Sequence, residues 1–296
     1  MESYNQSTSQ PINQSTNQPI NPTTNQPINQ STNQPFNQST IQLTLHLADN
    51  NLILAQRNAE WCAHGPILEQ DIAITNITLD LIGQSRNFYQ YAATLINKET
   101  GDDRTTEDSL AYLRTEREFN NSLITELPNT DWAQTILRQF FYSAYQYLLY
   151  DQLQKSGDEQ LAAIAAKSIK EVTYHLKWSS EWVVRLGDGT EESHSRILKA
   201  FDNLWMYTGE FFIPADYELE TIENNAGVNV SLLKDAWMQK IREVFEDAKL
   251  FPTALEADKS EAFMQTGGKQ GKHTEHLGFI LTDLQYLQRT YPNAEW

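Results

Sequence analysis

Cysteine is almost absent from this chain of 296 residues, since Cys62 is the only one. A single cysteine forms no internal disulfide and is typical of proteins of the reducing cytoplasm, where we expect this protein to be located. The sequence contains no run of 18 apolar residues, and its N-terminus lacks the basic and apolar regions of a signal peptide. It therefore predicts neither a membrane-spanning helix nor a secreted protein.

Positive charge is also scarce. The chain has 22 Lys and Arg residues against 39 Asp and Glu residues, which gives a formal net charge of −17. Because a strongly acidic surface repels a phosphate backbone, we do not expect nucleic acid to be a partner. Hydrophobic residues make up 40% of the chain and aromatic residues 11%, so a large core is expected.

Residues 1–40 contain no Lys, Arg or Asp and repeat a polar octapeptide. The repeats place a proline every eight residues, at Pro11, Pro19, Pro27 and Pro35. One isoleucine or phenylalanine per repeat is too little to form a stacked core, so we predict a disordered tail. We hypothesise that a repeat in the DNA, upstream of the native start, is translated here. The folded domain is predicted to span residues 47–296.

Helical spacing of apolar residues dominates the rest of the chain, and strand-like alternation is nearly absent. Glycine, proline and capping signals mark the ends of the segments. We predict helices at residues 49–63, 67–97, 106–127, 130–154, 158–186, 191–209, 231–248 and 274–290. Several of these helices are long and joined by short connections, which is typical of an up-down bundle. The predicted fold class is all-α.

An aromatic-rich segment, FFYSAYQYLLY at residues 140–150, lies in one of the predicted helices. Its apolar residues continue a stripe of positions at helical spacing that begins at Leu137. Such a stripe usually packs in the core, but clustered aromatic residues are also typical of protein interfaces. Core packing is the favoured interpretation, and an interface with a partner is the alternative.

A carboxylate-bridged di-iron bundle uses Glu-x-x-His on two helices and a further Glu on each of two others. The only literal Glu-x-x-His is Glu191 to His194 in GTEESH, directly after a glycine turn. Acidic residues in the first turn of a helix favour the helix dipole, so a helix cap is the expected role. His273 and His276 are also three residues apart, but no further ligands are in view for a zinc site.

The segment SIKEVTYHLKW at residues 168–178 comes closest to half of an iron site. Glu171 and His175 are four residues apart instead of three, and the position three before His175 is Val172. Valine binds no metal. His175 itself lies on the predicted buried stripe, where a hydrogen-bonded core histidine is the simpler interpretation.

Longer strings carry more information than any of these short motifs. They are AEWCAHGPILEQDIA, LDLIGQSRNF, LAYLRTEREFNN, AAKSIKEVTYHL, RLGDGTEESH, TGGKQGKHTEHLG and LQYLQR. Together, over residues 47–296, they resemble the non-catalytic ferritin-like subunit family (PaaC type) of ring-1,2-phenylacetyl-CoA epoxidase, also called phenylacetate-CoA oxygenase. The resemblance implies a ferritin-like bundle with additional C-terminal helices.

The resemblance also implies a degenerate iron site. The related catalytic subunit holds the iron, and its ligand positions correspond in this chain to Glu60, Leu81, Gln84, Ser143, Val172 and His175. Only Glu60 and His175 keep ligand chemistry, so we expect no metal, no cofactor and no catalytic residue here, with iron held by the partner. A buried carboxylate needs a partner. We therefore expect a hydrogen-bonded or salt-bridged polar cluster containing Glu60 and His175 in place of the irons.

The function implied by the resemblance is that of a scaffold. The chain would support the iron-bearing subunit within a hetero-oligomeric monooxygenase that epoxidises phenylacetyl-CoA. The alternative is an autonomous di-iron oxidase or oxygenase with atypical ligands. Its candidate ligands would be Glu60, Glu69, Asp80, Glu116, Glu171 and His175.

A third hypothesis concerns the glycine-rich segment TGGKQGKH at residues 266–273. Lys269, Lys272 and His273 precede a predicted helix, where backbone amides and cations together can hold phosphates such as those of CoA. The alternative is a solvated loop that docks on a neighbouring protein.

Overall fold

The computed structural model describes residues 34–252, 263–292 and 294, and no β-strand occurs in these ranges. The all-α prediction is confirmed. The helices are α1 (Gln34–Ala59), α2 (Leu68–Thr100), α3 (Glu107–Tyr112), α4 (Trp132–Leu153), α5 (Glu159–Gly187), α6 (Glu191–Leu204), α7 (Asp216–Glu223), α8 (Lys234–Asp247) and α9 (Glu275–Thr290). Short 3₁₀ turns lie at Glu116–Glu118, Leu123–Glu126, Trp205–Phe212, Val230–Leu233 and Gly268–Gln270.

Four of the helices form the bundle. Helix α1 packs along α2, and α4 packs along α5, each pair being joined by a short connection. The two pairs are linked by a long crossover at residues 101–131, a connection that is characteristic of ferritin-like bundles. Helices α6 and α8 pack on α4 and α5, α7 packs on α1, and α9 packs on α3 and the crossover. The ferritin-like architecture with additional C-terminal helices is thus present.

Helix α1 begins within the segment that was predicted to be a disordered tail. It starts at Gln34, so the prediction is wrong for residues 34–40, while residues 1–33 lie outside the described residues. Ser39 and Thr40 are buried, and the Thr44 hydroxyl donates to the Thr40 carbonyl over 2.7 Å. Polar composition predicted disorder here, but the end of the segment, at Ser39 and Thr40, continues into the buried part of α1.

The predicted helix at residues 106–127 is also wrong, because α3 ends at Tyr112. Just beyond it, the Arg114 guanidinium donates to the carbonyls of Leu110 and Glu118 and forms an ion pair with the buried carboxylate of Asp49. Asp49 also accepts the backbone N–H of Asn120 over 2.8 Å. This buried charge pair ties the chain to α1 in an irregular conformation that replaces the regular helix.

The aromatic segment of α4 lies in the core. Phe140, Phe141, Tyr145 and Tyr150 are buried, which confirms core packing and rules out the interface interpretation for these residues. The ring of Phe141 contacts aromatic rings from α6, from the turn that follows it, and from α8. The ring centroids lie 5.6–6.4 Å away, in Phe201, Trp205, Trp237 and Phe245. This cluster joins the outer helices to the bundle.

None of the helices in the described ranges has both the length and the apolar composition that crossing a membrane would require.

Candidate functional site

A layer of polar side chains crosses the interior of the four-helix bundle. Each bundle helix contributes an amide or a carboxylate to it: Asn51 from α1, Gln84 from α2, Gln146 from α4 and Glu171 from α5. The Gln146 amide N–H groups donate to the side-chain oxygens of Asn51 over 2.7 Å and Gln84 over 3.0 Å. Gln84 in turn donates to the Glu171 carboxylate over 2.8 Å. A continuous chain of hydrogen bonds therefore connects all four helices.

The hydroxyl of Tyr150 joins the same layer. It lies 3.0 Å from the Asn51 amide nitrogen and 3.1 Å from that of Gln146, and it accepts hydrogen bonds from these amides. Burial raises the pKa of Tyr150 to about 12, although the two bonds act in the opposite direction. Tyr150 is therefore neutral at physiological pH, and Glu171 is the only carboxylate in the layer.

The layer includes one of the positions inferred from the resemblance, Gln84. Three of the others, Leu81, Ser143 and Val172, each lie one to three residues from a member of the layer in sequence. Leu81 and Val172 are fully buried and contribute only hydrocarbon to the core. Ser143 accepts a hydrogen bond from Gln139 over 2.9 Å, and Gln139 accepts one from Asn58 over 2.7 Å. These bonds form a second, smaller polar contact between α1 and α4.

His175 is a hydrogen-bonded core histidine. Its Nε2–H donates to the carboxylate of Asp80 on α2 over 3.0 Å, and its side chain is fully buried. Its Nδ1 atom has no hydrogen-bond partner among the residues that the structure describes. His175 thus links α5 to α2 through Asp80 and takes no part in the hydrogen-bonded layer.

The prediction that Glu60 belongs to a buried cluster is wrong. Glu60 follows the end of α1, and its side chain is 45% exposed. Its carboxylate pairs with Arg57 over 2.6 Å and accepts a hydrogen bond from Asn129 over 2.9 Å. The polar layer of the bundle contains neither Glu60 nor His175, and α1 contributes Asn51 to it.

Sequence reasoning missed Asn51 and Gln146, each for its own reason. The predicted stripe on α4 leaves out Gln146, because that residue lies off the line of apolar positions, and α1 was predicted to begin only at residue 49. Both helices are buried on almost every side, so polar residues off the stripe also face the interior. Gln146 lies between Tyr145 and Tyr147, and a search for amide side chains flanked by aromatic residues would have found it, whereas Asn51 follows the polar Asn50 and gives no such signal.

The donor atoms of the layer do not fit a di-iron centre. Such a centre uses four carboxylates and two histidines. Here amides stand at Asn51, Gln84 and Gln146, and hydrocarbon stands at Leu81 and Val172. Amide oxygens carry no net charge with which to neutralise two irons. Across the described part of the chain, no group of three His, Cys, Asp or Glu residues is placed to hold a metal ion.

Other proposed ligands lie outside the bundle interior. Glu69 is exposed in the first turn of α2, and Glu116 is exposed in a 3₁₀ turn of the crossover.

The cap interpretation of GTEESH is confirmed: the Thr190 hydroxyl accepts the Ser193 backbone N–H over 3.2 Å. His194 donates from Nδ1 to the Gly187 carbonyl over 2.7 Å, which ties the start of α6 to the end of α5.

The glycine-rich segment 266–273 is held tightly against the rest of the protein. The buried Glu210 carboxylate accepts the backbone N–H groups of Gly267 and Gly268 over 2.8 Å and that of Leu123 over 2.7 Å. Burial raises the pKa of Glu210, although these bonds and the charge of Lys269 act against the rise. The amides of Gly267 and Gly268 are therefore occupied by an internal carboxylate and are not free to bind a phosphate.

Two of the three residues predicted to contact CoA phosphates or a partner point inward, so the prediction is wrong for them. Lys269 is buried, and its ammonium donates to the carboxylate of Glu218 over 2.9 Å and to the carbonyl of Ile213 over 3.0 Å. His273 is fully buried against Glu126. Lys269 and His273 therefore pair with the buried carboxylates of Glu218 and Glu126. Lys272 alone of the three is exposed.

Comparison with known proteins agrees with this architecture. Residues 22–296 match the model of the family PaaA_PaaC, described as "Phenylacetic acid catabolic protein". The chain is also 46% identical over 253 residues to one of the subunits of 1,2-phenylacetyl-CoA epoxidase from Escherichia coli (strain K12). That alignment covers 86% of this chain and 97% of the relative. This chain therefore belongs to the phenylacetic acid catabolic protein family.

Proposed function

We propose that this chain is the structural, non-catalytic subunit of a cytoplasmic multicomponent epoxidase that acts on phenylacetyl-CoA. It associates with an iron-bearing catalytic subunit and supports the helices that hold the irons. The similarity to an epoxidase subunit supports the assignment to this system. The assignment of a structural role rests on the interior of the bundle.

One observation carries this role. The polar layer is completed by the protein's own amides: Gln146 joins Asn51 to Gln84, and Gln84 joins Glu171. In a metal-dependent bundle, buried carboxylates need the cation to offset their charge. Here neutral amides hydrogen-bond to one another and to the single carboxylate of Glu171, with only the Gln146 Oε1 atom of the layer left unpartnered among the described residues, so the four helices are joined without a metal. The bundle then acts as a rigid support for the helices of the iron-bearing subunit.

Metal analysis of the purified full-length chain tests this proposal. The chain is expressed alone in iron-supplemented medium, and separately together with the iron-bearing subunit of the same organism. We expect far less than one iron per chain in the first sample. In the second we expect a stable complex with about two irons for each catalytic subunit.

Activity provides the second readout. We expect oxygen-dependent consumption of phenylacetyl-CoA only from samples that contain the iron-bearing subunit and a reductase. About two irons per chain, together with oxygenase activity of this chain alone, would overturn the proposal in favour of an autonomous di-iron enzyme. Failure of the two subunits to form a complex would also overturn it.

A further inference from the structure

The solvent face of α2 carries a row of exposed aliphatic side chains. Leu68, Ile72, Leu79 and Ile82 recur at helical spacing, and Leu68 and Leu79 are 73% and 60% exposed. At 3.6 residues per turn, the four positions fall within about 80° of one another around the helix axis and extend over roughly 21 Å. Single exposed leucines are common, but four aliphatic side chains gathered on one helix face, two on either side of Thr75, mark a surface that another protein covers.

Gly83 lies beside this row in the middle of the helix. A Cβ atom built on Gly83 would meet no atom of the described chain within 4 Å. By contrast, a Cβ on Gly187 or Gly268 would collide with the carbonyl oxygen of Ala248 or Asn121, so those glycines are required by internal packing. Glycine inside a helix is less favourable than alanine, and no contact within the described residues offsets that loss at Gly83.

A close helix–helix contact does require a glycine at such a position. A side chain there would hold two helix backbones apart, whereas glycine lets them approach. The aliphatic row and Gly83 are independent observations that point to the same face. We call Leu68, Ile72, Leu79, Ile82 and Gly83 the α2 docking face.

Charge indicates what kind of partner fits this face. Asp71 borders the row on one side, and Glu69 and Asp80 border it on the other. Arg86 closes the row and pairs with Glu107 over 3.3 Å. A second copy of the chain, also with a net charge of −17, would bring acid against acid. The matching surface is an apolar helix face with Lys and Arg at its rim.

We infer that the α2 docking face packs against a helix of the iron-bearing catalytic subunit, and that this helix is apolar along its centre and basic along its edges. The inference rests on the proposed function, since it names the surface through which the two subunits meet. It also places Gln84 and the polar layer directly behind the contact, because Gly83 and Gln84 are neighbours on α2.

Two variants of the full-length chain test the inference, each co-expressed with the tagged iron-bearing subunit. Leu79→Asp places an acid inside the aliphatic row, and we expect it to weaken the complex at least about tenfold. The matched control is Leu232→Asp, at a leucine that is 75% exposed in another part of the molecule, and it should bind like the wild type.

Gly83→Leu separates docking from folding. Because leucine favours a helix more than glycine does and has open space at this position, the variant should melt at a higher temperature than the wild-type chain alone. The same variant should bind the iron-bearing subunit at least about tenfold more weakly. A glycine needed only for internal packing would produce a lower melting temperature instead.

Each contrary result has its own meaning. Wild-type binding by both variants would overturn the α2 docking face while leaving the proposed function intact. No complex with the wild-type chain would overturn both. A wild-type dimer that Leu79→Asp converts to a monomer would assign the face to a second copy. That last result overturns the inference.

Discussion

The imidazole of His273 lies between the carboxylate of Glu126, 3.0 Å from Nδ1, and the carbonyl of Phe119, 2.9 Å from Nε2. Both neighbours only accept hydrogen bonds, so both ring nitrogens must carry a proton. Burial by itself lowers the pKa of His273, but the hydrogen bond and charge of Glu126 outweigh it, and the pKa is raised. The pair fastens the start of α9 to the crossover between α2 and α4.

Replacing His273 with Gln should destabilise the protein in a pH-dependent way. The folded-state pKa is raised, so the contribution of His273 is fully present below its unfolded pKa of about 6.5 and is lost as pH rises through the folded pKa. At pH 6 we expect a loss on the order of 3 kcal/mol in the free energy of unfolding, shrinking at higher pH.

Urea unfolding between pH 6 and 9 measures this difference. The control is His64→Gln, at an exposed histidine, which should change stability by less than about 0.5 kcal/mol at any pH in this range. A loss for His273→Gln that increases with pH would mean that the imidazole is neutral in the folded protein.

Replacing Lys269 with Met should leave the buried carboxylate of Glu218 without its cation. Lys269 and Glu218 are both buried, and we expect the variant to lose about 3–5 kcal/mol of stability. Lys272→Met, at the exposed lysine three residues further on, is the matched control, with an expected change within about 0.5 kcal/mol. Chemical denaturation of the two variants measures the contrast.

The same pair permits a double-variant check. Glu218→Gln removes the charge that Lys269 neutralises, so combining it with Lys269→Met should restore part of the lost stability. Equal stability of Lys269→Met and Lys272→Met would show that Lys269 is not paired inside the protein.

Replacing Gln146 with Leu should break the polar layer at its centre. The side chains of Asn51 and Gln84 would each lose a partner while still buried, at a cost of about 2–4 kcal/mol. Gln152→Leu, at an exposed glutamine near the end of the same helix, should have little effect. Thermal and urea unfolding give the comparison. No loss for Gln146→Leu would indicate that the layer does not hold the helices together.

Replacing Phe141 with Ala should leave a cavity among the rings that join α4 to the outer helices. Phe141 is fully buried, and such a truncation costs about 3–5 kcal/mol. Phe279→Ala, at an exposed position on α9, is the control and should change stability by less than about 0.5 kcal/mol. Similar unfolding midpoints for the two variants would contradict the central position of this ring.

Helices with one apolar stripe and clear capping signals were predicted within a few residues. Helix α5 was expected at 158–186 and spans Glu159–Gly187, with the Asp158 side chain as its cap. Helix α4 was expected at 130–154 and spans Trp132–Leu153. Helix α7, at Asp216–Glu223, was not predicted, because its eight residues are too few to show a period.

The sequence by itself determined the all-α class and most of the long helices, because the periodicity of apolar residues and the capping signals are local properties. Only the tertiary structure decided which polar residues are buried. It placed Asn51 and Gln146 in the layer, moved Glu60 to the surface, and turned Lys269 and His273 inward. These outcomes depend on partners as far apart in sequence as Glu126 and His273, and such pairings are fixed by how helices pack.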